Sequence, residues 1–201
     1  MTRPNMVLPV KQRSAYIDRM APSALLTADD LVALKLQNKR AELVRGRLVV
    51  REPAGFRHGA IAAALTVRLG DFAARNRLGV VVAAETGFKL ASDPDTVRAP
   101  DVGFIRASRL PTPLPRGFAD IAPDLAVEVL SPDDRAGEVL AKVSDWLNAG
   151  CNLVWVVDPD RRLARVYRPD GSESLVSSDA SLHGEDVMPG FACPLDELLN
   201  L

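Results

Sequence analysis

DLAVEVL, residues 124–130, is the stretch on which the fold turns. Its near-continuous Leu, Val and Ala content predicts a strand buried on both faces, as for a central strand with helices on either side. One residue breaks the run. Period-2 alternation puts Glu128 on the same face as Ala126 and Leu130. A bare carboxylate there is costly, and is expected to protonate, to pair with a cation or to bind a metal. An internal ion pair is the plain structural explanation and a metal site the chemical one.

Upstream lie two more strand signals, VVVAAETGFKL (80–90) and PDVGFI (100–105), and no helical periodicity separates the three. Downstream, residues 135–149 carry a stripe of Val139, Val143, Trp146 and Leu147 and stop at Asn148-Ala149-Gly150, which predicts a helix. NLVWVVD (152–158) follows as a fourth strand. The clearest helix precedes them all, HGAIAAALTVRLGDFAARNRLG (58–79), with Ile61, Leu65, Leu69 and Phe72 at 3–4 spacing. The order helix, strand, strand, strand, helix, strand predicts an α/β (α+β) fold with a mixed central sheet flanked by helices. A doubly wound sheet is excluded, because it needs helices between successive parallel strands.

Smaller elements extend this core. AELVRGRLVVRE (41–52) reads as a hairpin turning at Arg45-Gly46, and Thr27-Ala-Asp-Asp30 resembles a capping box opening a helix over 27–36. Ser131 or Asp133 is the expected N-cap of the 135–149 helix. LARVYRP (163–169) pairs naturally with 152–158, PLDELLNL closes the chain as a short helix, and the proline-rich linker 106–123 reads as a long loop. Residues 1–22 are expected to form an N-terminal arm, and 23–201 one domain.

The chain of 201 residues is 47% apolar and 25% charged, with net charge −1, which excludes bulk disorder. The balance also lacks the global basic signature of many nucleic-acid binders, though not a local patch. Two cysteines, Cys151 and Cys193, exclude a disulfide scaffold. The longest apolar runs are strand-sized, so no membrane span is expected, and the N-terminus lacks the apolar core of a signal peptide. A cytoplasmic location is the expectation.

Asp101 opens the 100–105 strand and shares a face with Gly103 and Ile105. Alone it reads as a turn residue. Beside Glu128 on a neighbouring strand it gives a pair of carboxylates suited to Mg²⁺ or Mn²⁺, which bind through one or two carboxylates, waters and substrate phosphates. Lys142 falls on the flank of its helix's buried stripe. It either snorkels to solvent or reaches back across the strand ends, where it would stabilise developing charge.

The acid, acid, lysine set resembles the PD-(D/E)xK nuclease superfamily. More closely, the chain is similar to the Uma-type restriction endonuclease family. The similarity runs from about residue 27 to the C-terminus through AELVRGRLVV (41–50), His58, APDVGFI (99–105), APDLAVEVLSPDDR (122–135), Lys142, AGCNLVWVVDP (149–159), LARVYRP and VMPGFACPLDELL (187–199). It implies a restriction-endonuclease-like core with an N-terminal hairpin extension, Asp101 as first acid and Glu128 as second. The usual lysine position after Glu128 holds Leu130, and the resemblance implies that Lys142 takes over its role from the following helix. The implied activity is metal-dependent hydrolysis of DNA phosphodiester bonds, with Mg²⁺ or Mn²⁺ held by Asp101, Glu128 and the backbone carbonyl of Val129.

Glu42 matches a further acidic position, and either assists the metal or anchors the hairpin. His58 either lines the cleft or is a hydrogen-bonded helix residue, and Glu85 on the first core strand either approaches the site or faces solvent. A homodimer is expected to address two DNA strands. Two alternatives stay open: a catalytically inactive binding or regulatory protein on the same scaffold, and a hydrolase of small phosphate esters.

Overall fold

The computed structural model describes residues 25–34 and 40–201. The expected arm, residues 1–22, lies outside them.

The order along the chain is α1 (Ala28–Ala33), β1 (Arg40–Val44), β2 (Arg47–Arg51), α2 (Phe56–Arg75), β3 (Gly79–Ala83), β4 (Phe88–Ala91), β5 (Thr96–Arg98) and β6 (Val102–Arg106). A 3-10 turn, Ala107–Arg109, leads into the long loop. Then come β7 (Leu125–Val129), α3 (Ala136–Asn148), β8 (Leu153–Asp158), β9 (Leu163–Tyr167), β10 (Glu173–Ser177), β11 (Ser181–His183), β12 (Ala192–Pro194) and α4 (Leu195–Leu199). The main sheet has the order β10-β9-β8-β7-β6-β3. Its β7–β8 pair is parallel and the others are antiparallel, so it is mixed as expected.

The crossover between the parallel strands is α3, as a parallel pair requires. Every residue of β7 and of β8 is buried. Alternate residues serve two cores. Val127, Val129, Trp155 and Val157 join Leu65 and Leu69 of α2 and the C-terminal leucines on one face. Ala126, Val154 and Val156 join Val143 and Trp146 of α3 on the other.

A second, four-stranded sheet, β2-β1-β5-β4, stands over one end of the first. Its hairpin turns where the sequence indicated, with Arg45 at φ 50 and Gly46 at φ 73, the double left-handed signature of a two-residue turn matched to strand twist. A Cβ at Gly46 would also lie 2.7 Å from the Leu25 Cβ. Gly46→Ala is therefore expected to cost about 1–2 kcal/mol, read as a lowered urea midpoint with unchanged slope. The capping box of α1 is present, with the Thr27 N–H donating to Asp30 at 2.9 Å and the Asp30 N–H to the Thr27 hydroxyl at 3.2 Å.

The structure corrects three expectations. Residues 80–90 are not one strand: β3 belongs to the main sheet and β4 to the small one. The chain changes sheets in a turn where Glu85 has φ 70, so the apolar residues on either side serve different layers. Helix α2 begins at Phe56 and ends at Arg75, and Gly79 opens β3 instead of stopping the helix. The N-cap of α3 is Arg135, without a side-chain bond, while Asp134 accepts the Ser131 N–H in the turn before it.

Candidate active site

Asp101 directly precedes β6 and is buried. Its N–H donates to the Val127 carbonyl at 2.9 Å, and its Oδ2 accepts the Val129 N–H at 2.8 Å. The residue thus bridges β6 and β7 through main chain and side chain together. The same oxygen lies 3.1 Å from His58 Nε2, and Oδ1 accepts from Arg40 Nη2 at 2.7 Å. Burial pushes this carboxyl up, but the His58 bond, the charges of His58 and Lys142 and the Val129 N–H outweigh it and hold it at about 2.

Glu128 projects from β7 toward α3, on the face that alternation assigned it. Its Oε1 accepts the Trp146 indole N–H at 2.9 Å, and its Oε2 accepts from Lys142 Nζ at 2.8 Å. Lys142 and Trp146 are one helical turn apart, so α3 presents both to the same carboxylate. Lys142 also donates to the Ala99 carbonyl at 2.9 Å and forms an ion pair with Glu42 Oε1 at 3.1 Å. Burial holds Glu128 up at about 7, with Lys142 opposing and the negative charges of Asp101 and Glu42 adding to it.

Glu42, on β1, is buried against Arg98 Nη1 at 3.0 Å and accepts the Ala99 N–H at 3.0 Å. Burial raises its carboxyl, yet Lys142 and Arg98 prevail and the net direction is downward. Arg98 continues to Asp145 Oδ2 at 2.6 Å. The connected cluster thus holds four carboxylates, Glu42, Asp101, Glu128 and Asp145, against three permanent cations, Arg40, Arg98 and Lys142. Glu128 is the acid of this group whose ionisation is most opposed.

His58, Asp101, Glu128, Val129, Lys142 and Arg40 all line one open cleft of about 460 Å³. Five of the sequence-derived side chains therefore converge: Asp101, Glu128, Lys142 and His58 on the cleft and Glu42 beside it, sharing Lys142. Glu85 does not join them. It lies past the end of β3, is exposed, and lines a neighbouring cavity of about 190 Å³ with Glu42 and Lys142. Val129 also lines the cleft.

Two partners escaped the sequence reading. No local pattern marks Arg40, and only the fold of the hairpin carries it to Asp101. Trp146 was read as core, which it is, but its indole N–H also holds Glu128. The i, i+4 spacing from Lys142 was the available signal.

The donor set can be tested against a hard divalent cation. Among the described residues no three His, Cys, Asp or Glu side chains form a metal cage. Asp101 Oδ1 and both oxygens of Glu128 each accept one bond, which leaves each a lone pair. Two such carboxylates with room for water fit Mg²⁺ or Mn²⁺, whose remaining positions are filled by water and substrate phosphate. They do not fit a structural zinc, which needs four protein ligands.

A mixed sheet whose central strands bring two acids and a helix-borne lysine to one cleft defines the restriction-endonuclease-like class of folds. The chain belongs to the Uma2 family, whose model, described as "Putative restriction endonuclease", matches residues 28–196. The fold is also similar to the crystal structure of "a putative nuclease belonging to DUF820" from Anabaena variabilis ATCC 29413. The TM-score is 0.76 at 22% sequence identity, covering 87% of this chain and 98% of that one. No curated protein matches the chain. The resemblance seen in the sequence is thus borne out at the level of family and fold.

Proposed function

We propose that this protein is a divalent-metal-dependent endonuclease that hydrolyses phosphodiester bonds of DNA. The observation that carries the reading is the pair Asp101 and Glu128, buried beside one another at β6 and β7 and lining one open cleft with Lys142. Asp101, Glu128 and the Val129 carbonyl would hold Mg²⁺ or Mn²⁺. When bound, the ion supplies Lewis-acid polarisation of the phosphate and a more acidic water.

The chain's own residues do the rest. The Val129 N–H and His58 fix the Asp101 carboxylate, and Trp146 and Lys142 fix that of Glu128. Lys142 acts through its charge and by orienting Glu128, to which it donates at 2.8 Å. Arg40 spends one donor on Asp101 and retains others facing the cleft, so it is the cation best placed to meet a phosphate. Among the described residues no helix is long and apolar enough to cross a membrane, and the reading places the protein in the cytoplasm with its DNA.

The test is plasmid nicking by the wild-type chain with Mg²⁺ or Mn²⁺. Cleavage abolished by EDTA is expected, and no cleavage with either ion overturns the proposal. The rim offers a separate check on substrate binding. Phe56 opens α2 directly after Gly55 of the cleft wall and is 94% exposed. An exposed ring there suits stacking on a base. Phe56→Ala is expected to weaken oligonucleotide binding by about 1–3 kcal/mol, measured by fluorescence anisotropy in EDTA so that no cleavage intervenes.

One observation favours a second reading. Both acids already carry internal cations, Arg40 on Asp101 and Lys142 on Glu128, as a binding or regulatory protein that keeps the scaffold without catalysis would require. That reading predicts no Mn²⁺ binding by calorimetry, whereas the nuclease reading predicts binding lost in Glu128→Ala.

A further inference from the structure

Strand β3, GVVVA, is one edge of the main sheet, and among the described residues no strand pairs with its outer side. Natural edges are commonly blunted by charge, proline or a bulge, and this strand has no charge and no proline. The register with β6 shows which groups are free. The Ala107 N–H donates to the Leu78 carbonyl, so residues 78, 80 and 82 direct their main-chain groups toward β6. Gly79, Val81 and Ala83 direct theirs outward. The outward set is symmetric about Val81.

We propose that two copies of this chain associate through β3, antiparallel about a twofold axis at Val81. This pairs Val81 with Val81 and Gly79 with Ala83, and forms two-way main-chain bonds at each outward position. Val80 then sits opposite Val82 in the close, non-hydrogen-bonded pairs, which covers a valine that is 38% exposed. Two residues beyond the strand ends, Arg77 of one copy and Glu85 of the other come to the same end of the ribbon. Both are exposed, both have positive φ that turns the chain at that point, and among the described residues neither makes an ion pair. The twofold thus brings two complementary charge pairs together across the interface.

A five-residue ribbon falls short of the roughly 1,200–2,000 Å² of a stable interface. Beside it, Val80 and Val82 line an apolar groove of about 560 Å³ with Leu110, Pro111 and Leu114, which supplies further area on the same side. Each Glu85 that lines the small cavity beside Glu42 and Lys142 would then face the partner's Arg77. The inference rests on the sheet edge, independently of the nuclease reading.

The test is sedimentation velocity on the full chain across a concentration series, with circular dichroism as the control for folding. The wild type is expected to run at twice the monomer mass. Arg77→Glu is expected to raise the dimer dissociation constant by about tenfold or more, and Arg77→Glu with Glu85→Arg to restore it. Val81→Pro removes only an outward N–H, because Val81 gives nothing to β6, and is expected to leave a folded monomer. A wild type that stays monomeric at every concentration overturns the proposal. A dimer indifferent to both Arg77→Glu and Val81→Pro overturns it as well.

Discussion

Replacing Lys142 by methionine is expected to lower stability by about 3–5 kcal/mol, and the loss is expected to grow from about pH 5 to about pH 8. Methionine keeps the length and apolar stem of lysine, so little packing is lost. What disappears is the cation between Glu128 and Glu42, at 2.8 and 3.1 Å, in a site where lysine is only 14% exposed. Removing one partner of a buried ion pair leaves the other as an uncompensated charge. Here two acids are left, with Asp101 nearby and only Arg98 still holding Glu42.

The pH dependence follows from Glu128. Its carboxyl stands at about 7 in the fold against an ordinary 4.5. A carboxyl raised by folding binds its proton more tightly in the native state, so ionisation draws stability down. In the wild type that cost is absent below about 4.5 and complete above about 7, where it amounts to about 3 kcal/mol. Lys142 is the one group pulling Glu128 down strongly, so without it the cost deepens on the alkaline side. Asp101 contributes with the opposite sign: held at about 2 against 3.8, it stabilises above 3.8 and loses that contribution as pH falls toward 2. Urea unfolding of both proteins at the two pH values measures the difference. A loss below about 1 kcal/mol, the worth of an exposed pair, would contradict the buried-cluster account.

The main sheet was legible because its central strands have simple burial. A strand buried on both faces reads as an apolar run, and β7 and β8 read so. Glu128 stood out for the same reason, as the one charge in that run. The split of 80–90 between β3 and β4 was not legible, since Val80–Val82 and Phe88–Leu90 both read as strand whichever sheet receives them. Only the left-handed turn at Glu85 separates them, and a glutamate does not announce that conformation. The pairing of Arg40 with Asp101 spans 61 residues. Nothing local encodes it, because it depends on how the hairpin sheet stands over the main one. Strand β10, ESLVS, escaped because three of its five residues, Glu173, Ser174 and Ser177, are polar.

Converting Glu128 to alanine is expected to cut phosphodiester cleavage by about 10³-fold or more while the fold persists. A metal's polarisation of the phosphate supplies several kcal/mol, and about 4 kcal/mol corresponds to that factor. The choice of residue matters. Asp101 holds Arg40, His58 and the Val129 N–H at once, so changing it disturbs hairpin, helix and sheet together. Glu128 holds only Trp146 and Lys142. Lys142 keeps Glu42 at 3.1 Å and the Ala99 carbonyl at 2.9 Å, and the one group orphaned is the Trp146 indole N–H, at about 1–3 kcal/mol. Deleting Glu128 also removes the acid whose ionisation the cluster most opposes, which offsets part of that loss near neutral pH. The variant should therefore fold while losing one of the two carboxylates proposed to hold the metal. Nicking by Glu128→Ala equal to wild type, at matched circular dichroism, would show that any cleavage does not come from this cleft. Nicking lost together with calorimetric Mn²⁺ binding would tie both to the carboxylate on β7.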